Sequence, residues 1–246
     1  MTARCYLSPD QWGEGEIRLS GREAHHLSRV LRLSAGDEFV CIDGEGNEAS
    51  AHVVKRSGNQ MVISLRPTRR IPEQPTAIAL AVGIPGQGKL DEIVNQATQF
   101  GVSRLIPLVT QRTVIRESSA AASEKKIERL RRIAVEAIKQ SGSGRVPDIR
   151  PVCPFEVLIS TFSEYDQVLL ASVDGPWEDL SDILMRDGRR CLILIGPEGD
   201  FTPQEIEQAV RQGARRFSLG PTVLRCETAC IAAVALVSYI LQSQKR

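Results

Sequence analysis

No stretch of this sequence is apolar for long enough to be expected to cross a membrane. The most apolar run, residues 229–241, covers about 13 positions where a spanning helix needs about 20. The N-terminus lacks the charged-then-apolar pattern of a secretory signal, so a cytoplasmic location without membrane partners is expected. Neither sign of charge is in excess. With 31 basic and 30 acidic residues the net charge is +1, which argues against a chain basic throughout and confines any nucleic-acid site to a local patch. The six cysteines show no CxxC pairing, and Cys226 and Cys230 have no second pair to complete a zinc site. No metal is therefore expected, and the cysteines read as free, mostly buried thiols in a reducing compartment. Signs of disorder or fibre are also missing: at 42% hydrophobic and 25% charged, 246 residues make one large globular domain or two modest ones.

What is present falls into two rhythms. Short alternating runs at 38–42, 49–55 and 60–65 are separated by Asp43-Gly44-Glu45-Gly46-Asn47 and Ser57-Gly58-Asn59, residues that tolerate the positive φ of tight hairpins. They predict a small β-barrel or meander. One helix over 22–33 interrupts it, with Ala24, Leu27 and Leu31 inward and His25, Ser28, Arg29 and Arg32 around the remaining circumference. Residues 66–75 carry three arginines and three prolines, and proline disfavours both helix and central strand. The boundary falls near Ile71, giving domains 1–71 and 72–246.

Beyond it, strands at 77–82, 103–109, 167–171 and 191–195 alternate with helices at 90–100, 124–140, 177–185, 203–212 and 227–242. Alternation of this kind predicts an α/β domain, a parallel sheet with helices on both faces. The helix at 203–212 has explicit ends: Thr202 as N-cap, Pro203 at the first position, Glu205 completing a capping box, and Gly213 just beyond. The last helix is apolar on nearly every face and must be buried against the sheet or another subunit.

Two glycine-punctuated turns stand out. Gly196-Pro197-Glu198-Gly199 follows an apolar strand, and Leu219-Gly220-Pro221 ends another short run and leads into Val223-Leu224-Arg225-Cys226-Glu227-Thr228. Ligands of open α/β sheets bind at the carboxyl ends of strands, so two such turns suggest two walls of one pocket. Glu227 and Thr228 fit either a polar ligand or helix capping equally well. A third stretch, Gly83-Ile84-Pro85-Gly86-Gln87-Gly88-Lys89, fits the phosphate-loop spacing, but Leu90 stands where a Ser or Thr must reach magnesium. No later strand ends in a convincing metal-binding aspartate, so a plain strand-to-helix connection is the favoured reading.

The two turns, taken with Thr222 and Ala229, closely resemble the C-terminal signature of the SPOUT-class, trefoil-knotted RNA methyltransferases, specifically the RsmE family that methylates uridine N3 in 16S ribosomal RNA. His25-His26-Leu27 with Arg29-Val30-Leu31-Arg32 and Gly36-Asp37 is similar to the family's PUA-like N-terminal signature; Arg112, Gln140-Ser141-Gly142 and Arg145-Val146-Pro147 resemble its mid-chain motifs. The resemblance implies a knotted α/β domain after a small PUA-like β-barrel domain. It implies S-adenosylmethionine bound bent among the knot loops by Ile195, Gly196, Glu198, Gly199, Leu219, Gly220, Pro221, Val223, Leu224 and Thr228. It further implies a homodimer acting on 16S rRNA within the 30S subunit rather than on DNA, with RNA held by His25, Arg29, Arg32, Arg112 and Arg145. Arg225 is the catalytic candidate, since a fixed guanidinium suits the charge that spreads onto the uracil oxygens as N3 ionises; Glu198 and Glu227 both remain open as the base. A non-catalytic RNA-binding paralogue is the alternative.

Four positions depart from the family pattern. Asp200 replaces a second glycine, Ser143 replaces an arginine, and Gln96 and Gln99 replace a helical Lys and Glu. Three apart on one helix, Gln96 and Gln99 are expected to face each other as an amide pair.

Overall fold

The computed structural model describes residues 3–13, 15–58, 60–74, 76–86, 88–113, 120–184 and 190–243. Asn59 and Pro75, and also Gln87 and Met185, which the sequence reading placed in a turn and a helix, lie outside them. The chain packs as two compact units, Met1–Glu73 with Val135–Val146, and Gln74–Ala134 with Pro147–Arg246.

The first unit is a mixed sheet built from β1 (Arg4–Tyr6), β2 (Glu16–Leu19), β3 (Glu38–Ile42), β4 (Asn47–Ser57), β5 (Gln60–Leu65) and β6 (Arg69–Arg70). The order is β1-β3-β4-β5-β2 with β6 on β4, and all pairs are antiparallel except β1 with β3. Alternate residues point inward, as a two-residue period demands: Phe39 and Cys41, Ala51 and Val53, Met61 and Ile63. Val53 ends that run in β4, where a bulge before Lys55 shifts the register and bends the strand. Between Asp43 and Asn47 the chain reverses through Gly44 and Gly46 at φ +78° and +99°.

The helix expected over 22–33 is instead two short pieces. The α-turn α1 (Gly21–His25) passes into a wider π-turn over His26–Val30, sealed where the Leu31 amide donates to the His26 carbonyl at 3.0 Å. A five-residue hydrogen-bond step turns each side chain through a smaller angle than an α-helix does. Ala24 and Leu27 remain buried, but Ser28 rotates inward and Leu31 outward, the reverse of the simple 3.6-residue pattern.

Residues 135–146 are held within this unit by charge and backbone. Lys139 Nζ, almost fully buried, lies 2.9 Å from Glu23 Oε1, and Arg22 pairs with Glu136 at 3.3 Å. The Gly46 amide donates to the Gly144 carbonyl.

In the second unit, strands β7 (Ala77–Gly83), β8 (Arg104–Val109), β9 (Asp148–Ile149), β10 (Cys153–Pro154), β11 (Gln167–Ala171), β12 (Arg190–Ile195) and β13 (Arg215–Phe217) form one parallel sheet. Its order is β10-β8-β7-β12-β11-β13, with β9 also on β8. The helices are α2 (Lys89–Gln99), α3 (Ala120–Ser141, whose last turns belong to the first unit), α4 (Phe155–Ile159), α5 (Leu180–Leu184), α6 (Pro203–Arg211) and α7 (Cys226–Ser243). One sheet face packs Ala79, Ala81, Leu192 and Leu194 against Phe155, Leu158 and Ala209 of α4 and α6. The other carries α7, which meets β7, β12, α2 and α5. By length (18 residues) and mean hydropathy (1.5), α7 could cross a bilayer. One face packs in the core, with Cys230, Ala233, Val234 and Val237 fully buried, while Leu236 and Tyr239 on the other are exposed.

On α2 each glutamine reaches back one turn rather than toward the other. Gln96 donates to Glu92 at 3.4 Å and Gln99 to Asn95 at 2.7 Å, since the i,i+4 neighbour is as close on a helix as the i,i+3 one.

The capping box of α6 is complete, and Glu205 does more than cap. Its carboxylate, 1% exposed, accepts the Thr202 amide at 2.8 Å and the Gln111 amide at 2.9 Å, tying the helix to the segment after β8. Glu205→Ala removes the acceptor of both amides and is expected to destabilise the protein by roughly 3 kcal/mol, against about 1 kcal/mol for Thr202→Ala. Urea unfolding with unchanged m-values checks the ranking; equal losses would mean that the link to Gln111 is not stabilising.

Candidate active site

The register of the parallel sheet sets the position of the site. Val82 lies beside Ile195, Leu170 beside Leu194, and Phe217 beside Ala171, so β7, β11, β12 and β13 end at nearly one level. The loops after β11, β12 and β13 converge on an open cavity of about 160 Å³. One wall is the turn after β12, a second is residues 218–224 after β13, and a third is Ala171, Ser172, Val173 and Trp177 after β11. Cys226 and Ala229 of α7 close the base.

The walls are apolar and acidic. Ile195, Leu219, Leu224 and Trp177 supply apolar surface, Ser172 and Ser218 supply hydroxyls, and the charged lining residues are Glu198 and Asp200. Among the described residues no Lys, Arg or His lines the cavity.

Asp200 has a constrained place there. It takes a left-handed φ of +58°, a region where glycine is favoured and Asp is among the few other residues tolerated. This accounts for the glycine usual at that position. The Asp200 amide closes a turn onto the Pro197 carbonyl at 2.8 Å, and its Oδ1 accepts the Phe201 amide at 2.7 Å. A Cβ on Gly196 would sit 2.5 Å from that oxygen, so the turn needs glycine at 196 to hold the carboxylate where it is. Burial pushes the Asp200 carboxyl above the usual range; the amides of Phe201 and Val173 and the charge of Arg112 oppose the rise, and Asp174 adds to it.

The glycine-rich connection after β7 is built against phosphate. The Gly86 amide, which a phosphate would need, donates to Glu198 Oε1 at 2.6 Å. Lys89 Nζ lies 2.6 Å from Glu227 Oε1. That hydrogen bond holds the Glu227 carboxyl below its usual range and raises Lys89. At Gly83 a Cβ would be 2.4 Å from Pro197, so this glycine serves the crossing of two chain segments rather than a ligand.

The structure brings together Ile195, Gly196, Glu198, Leu219, Gly220, Pro221, Val223 and Leu224 around the cavity. Gly199 does not line it; its carbonyl accepts Arg112 Nη1 at 2.5 Å, so Arg112 braces the turn. Thr228 is exposed on the first turn of α7, away from the lining. Arg225 is exposed just before α7, close enough to Lys89 and Glu227 for its charge to act on both. In the first unit His25, Arg29 and Arg32 are exposed, Arg32 with φ +57°. Arg145 is instead engaged within that unit, donating to the carbonyls of Glu45 and Ile71 and pairing with Glu73 at 3.3 Å. The sequence reading missed the third wall. Its signal was present, since residues 172–177 follow the apolar run Val168-Leu169-Leu170-Ala171 and carry Gly175-Pro176.

The second unit matches the family model described as an RNA methyltransferase domain over residues 72–238, and residues 19–65 match an RNA methyltransferase PUA domain. The chain is 31% identical to ribosomal RNA small subunit methyltransferase E of Bacillus subtilis (strain 168), over 90% of this chain and 89% of that one. A probable rRNA-methyltransferase from Porphyromonas gingivalis superposes with a TM-score of 0.83 at 30% identity, covering 99% of this chain and 100% of the other. Ribosomal RNA small subunit methyltransferase E from Neisseria gonorrhoeae, solved bound to S-adenosyl methionine, superposes with a TM-score of 0.86 at 25% identity, covering 98% of each chain.

Two outcomes follow from the geometry. Calorimetric titration with ATP or GTP and magnesium should give no binding heat, because the loop amide and Lys89 already have carboxylate partners; saturable binding would overturn that reading. The second concerns pH. Since burial raises the Asp200 carboxyl in the folded state, the neutral form stabilises the fold below the unfolded pKa, and that contribution is lost as pH rises through the folded one. Asp200→Asn, neutral and tolerant of a left-handed φ, should therefore raise Tm at pH 7 and lose that gain near pH ~4, where an ordinary aspartate protonates. Differential scanning fluorimetry across pH checks this, and a variant less stable at pH 7 would contradict it.

Proposed function

The chain belongs to the RsmE family of ribosomal RNA small subunit methyltransferases, and we propose that it transfers the methyl group of S-adenosylmethionine to N3 of a uridine in 16S rRNA. The observation that carries this is the cavity at the carboxyl ends of β11, β12 and β13, lined by eight of the residues expected to hold that cofactor. The C-terminal unit is the trefoil-knotted α/β fold of the family, preceded by its PUA-like sheet.

The donor set suits the cofactor. Apolar Ile195, Leu219, Leu224 and Trp177 offer surface to an adenine ring, the hydroxyls and loop backbone offer partners to ribose, and two carboxylates face a ligand that carries cationic groups. When bound, S-adenosylmethionine supplies a methyl already activated on a sulfonium. The remaining work falls to the chain: holding acceptor and donor in line, an alignment that can be worth ~7–11 kcal/mol, and easing the loss of the proton from N3. Arg225, exposed between the lining residues Leu224 and Cys226, would meet negative charge on the uracil oxygens, which a guanidinium suits. Of the two carboxylates considered as base, Glu227 is held ionised by Lys89 and is a weak proton acceptor. Glu198, on the cavity wall, is the better placed.

RNA would be gripped by His25, Arg29, Arg32 and Arg145 in the first unit and by Arg112 in the second, the last two also bracing turns. We assign the protein to the cytoplasm, with 16S rRNA in the 30S subunit as substrate. A homodimer would cover Leu236 and Tyr239, which α7 leaves 44% and 73% exposed.

With labelled S-adenosylmethionine and 30S subunits lacking the modification, the protein should transfer methyl to uridine N3. Arg225→Ala should lower kcat about 10²–10³-fold, the usual effect of removing one donor that stabilises transition-state charge, with cofactor affinity unchanged. Retained 30S binding without any transfer by the parent protein would favour the non-catalytic reading instead.

A further inference from the structure

The acidic wall of the cavity has a consequence for which form of the cofactor it prefers. Two carboxylates line it, Asp200 and Glu198, and among the described residues no cationic side chain shares the lining. Both accept from backbone amides, Asp200 half-buried and Glu198 at the exposed rim. Asp200 Oδ1 accepts from Phe201 at 2.7 Å, and Glu198 Oε1 accepts from Gly86 at 2.6 Å. The turn that presents Asp200 has a left-handed φ and an obligatory glycine beneath the carboxylate. A charge fixed in a half-enclosed site is screened less by salt than one on open surface.

S-adenosylmethionine and the product left after transfer differ by one methyl and one positive charge. The sulfonium is a cation, and the thioether of S-adenosylhomocysteine is neutral. We propose that Asp200, assisted by Glu198, makes this cavity select the sulfonium form over the neutral product, so that methyl transfer itself weakens the hold on the spent cofactor. The inference rests on the assignment of this cavity to S-adenosylmethionine. It concerns ligand discrimination and assigns Asp200 no part in the chemical step. The charged groups acting on Asp200 are Arg112, which offsets part of its field, and Asp174, which adds to it; neither lines the cavity.

Isothermal titration of the full chain with S-adenosylmethionine, S-adenosylhomocysteine and sinefungin tests this, because sinefungin carries an ammonium near the position of the sulfonium. The wild type should bind S-adenosylmethionine and sinefungin more tightly than S-adenosylhomocysteine. Asp200→Asn should shrink that preference about tenfold, as expected for removing one nearby charge in a partly screened site, while leaving the affinity for S-adenosylhomocysteine unchanged. Glu198→Gln, which retains an oxygen for the Gly86 amide, should shrink it less. Wild-type binding of both cofactor forms with a ratio that Asp200→Asn leaves unaltered overturns the inference alone. Failure of the wild type to bind either form overturns the cofactor assignment and the inference with it. A thermal melt at the titration pH identifies any variant that has lost its fold, and in that case the ratio for Asp200→Gly decides.

Discussion

The pairing of β12 on both its edges is the constraint from which the site follows. Its run Cys191-Leu192-Ile193-Leu194-Ile195 is buried on both faces, and the strand is bonded to β7 on one side and β11 on the other. A strand so placed has no freedom of register, because a one-residue slip would exchange the side chains that pack α4 and α6 for those that pack α7. With the register fixed, the carboxyl ends of β11, β12 and β13 stop together and their loops share one volume. The cavity is thus a product of sheet pairing, and chain segments far apart in sequence meet there because Ala171, Ile195 and Phe217 sit where the ladders put them.

Much of this was legible in residue pattern. Short apolar runs marked β7, β11 and β12 because a parallel strand covered on both faces has no polar alternation to confuse the reading. The capping box at Thr202 and Glu205 was legible because capping is local chemistry. Less legible were β1 and β2, which are short and find their partners only through long-range pairing, and the helix near His25, where a π-turn replaces the 3.6-residue period and exchanges Ser28 for Leu31 inside. The lock of residues 135–146 to the first unit depends on Lys139 meeting Glu23, a pairing across more than a hundred residues that no periodicity announces.

At the site, the lining by Ile195, Gly196, Leu219 and Gly220 was readable from two glycine-bearing turns, whereas Trp177 was hidden. The sequence pattern predicts it at the start of a helix. Its indole instead donates to the Ser172 carbonyl at 3.1 Å, holding the segment in a loop against the cavity. Arg112 and Arg145 illustrate a different limit. Sequence shows an arginine but not whether its fork is free, and here one braces Gly199 while the other bridges Glu45, Ile71 and Glu73.

The same reasoning separates two glycine-rich loops that look alike on paper. After β7 the spacing of glycines and a lysine matches a phosphate cradle, yet the amide that would bind phosphate holds Glu198 and the lysine holds Glu227. A polyphosphate entering there would have to displace two carboxylates and meet their charge, so the loop's affinity for anions is reversed by residues more than a hundred positions away. What the glycines provide is room: Gly83 lets Pro197 pass within contact distance, and Gly196 lets the Asp200 carboxylate fold back over its own turn. Both contacts place negative charge at the rim of one cavity. A site arranged in this way suits a ligand that arrives as a cation and leaves neutral, and is poorly suited to nucleoside triphosphates.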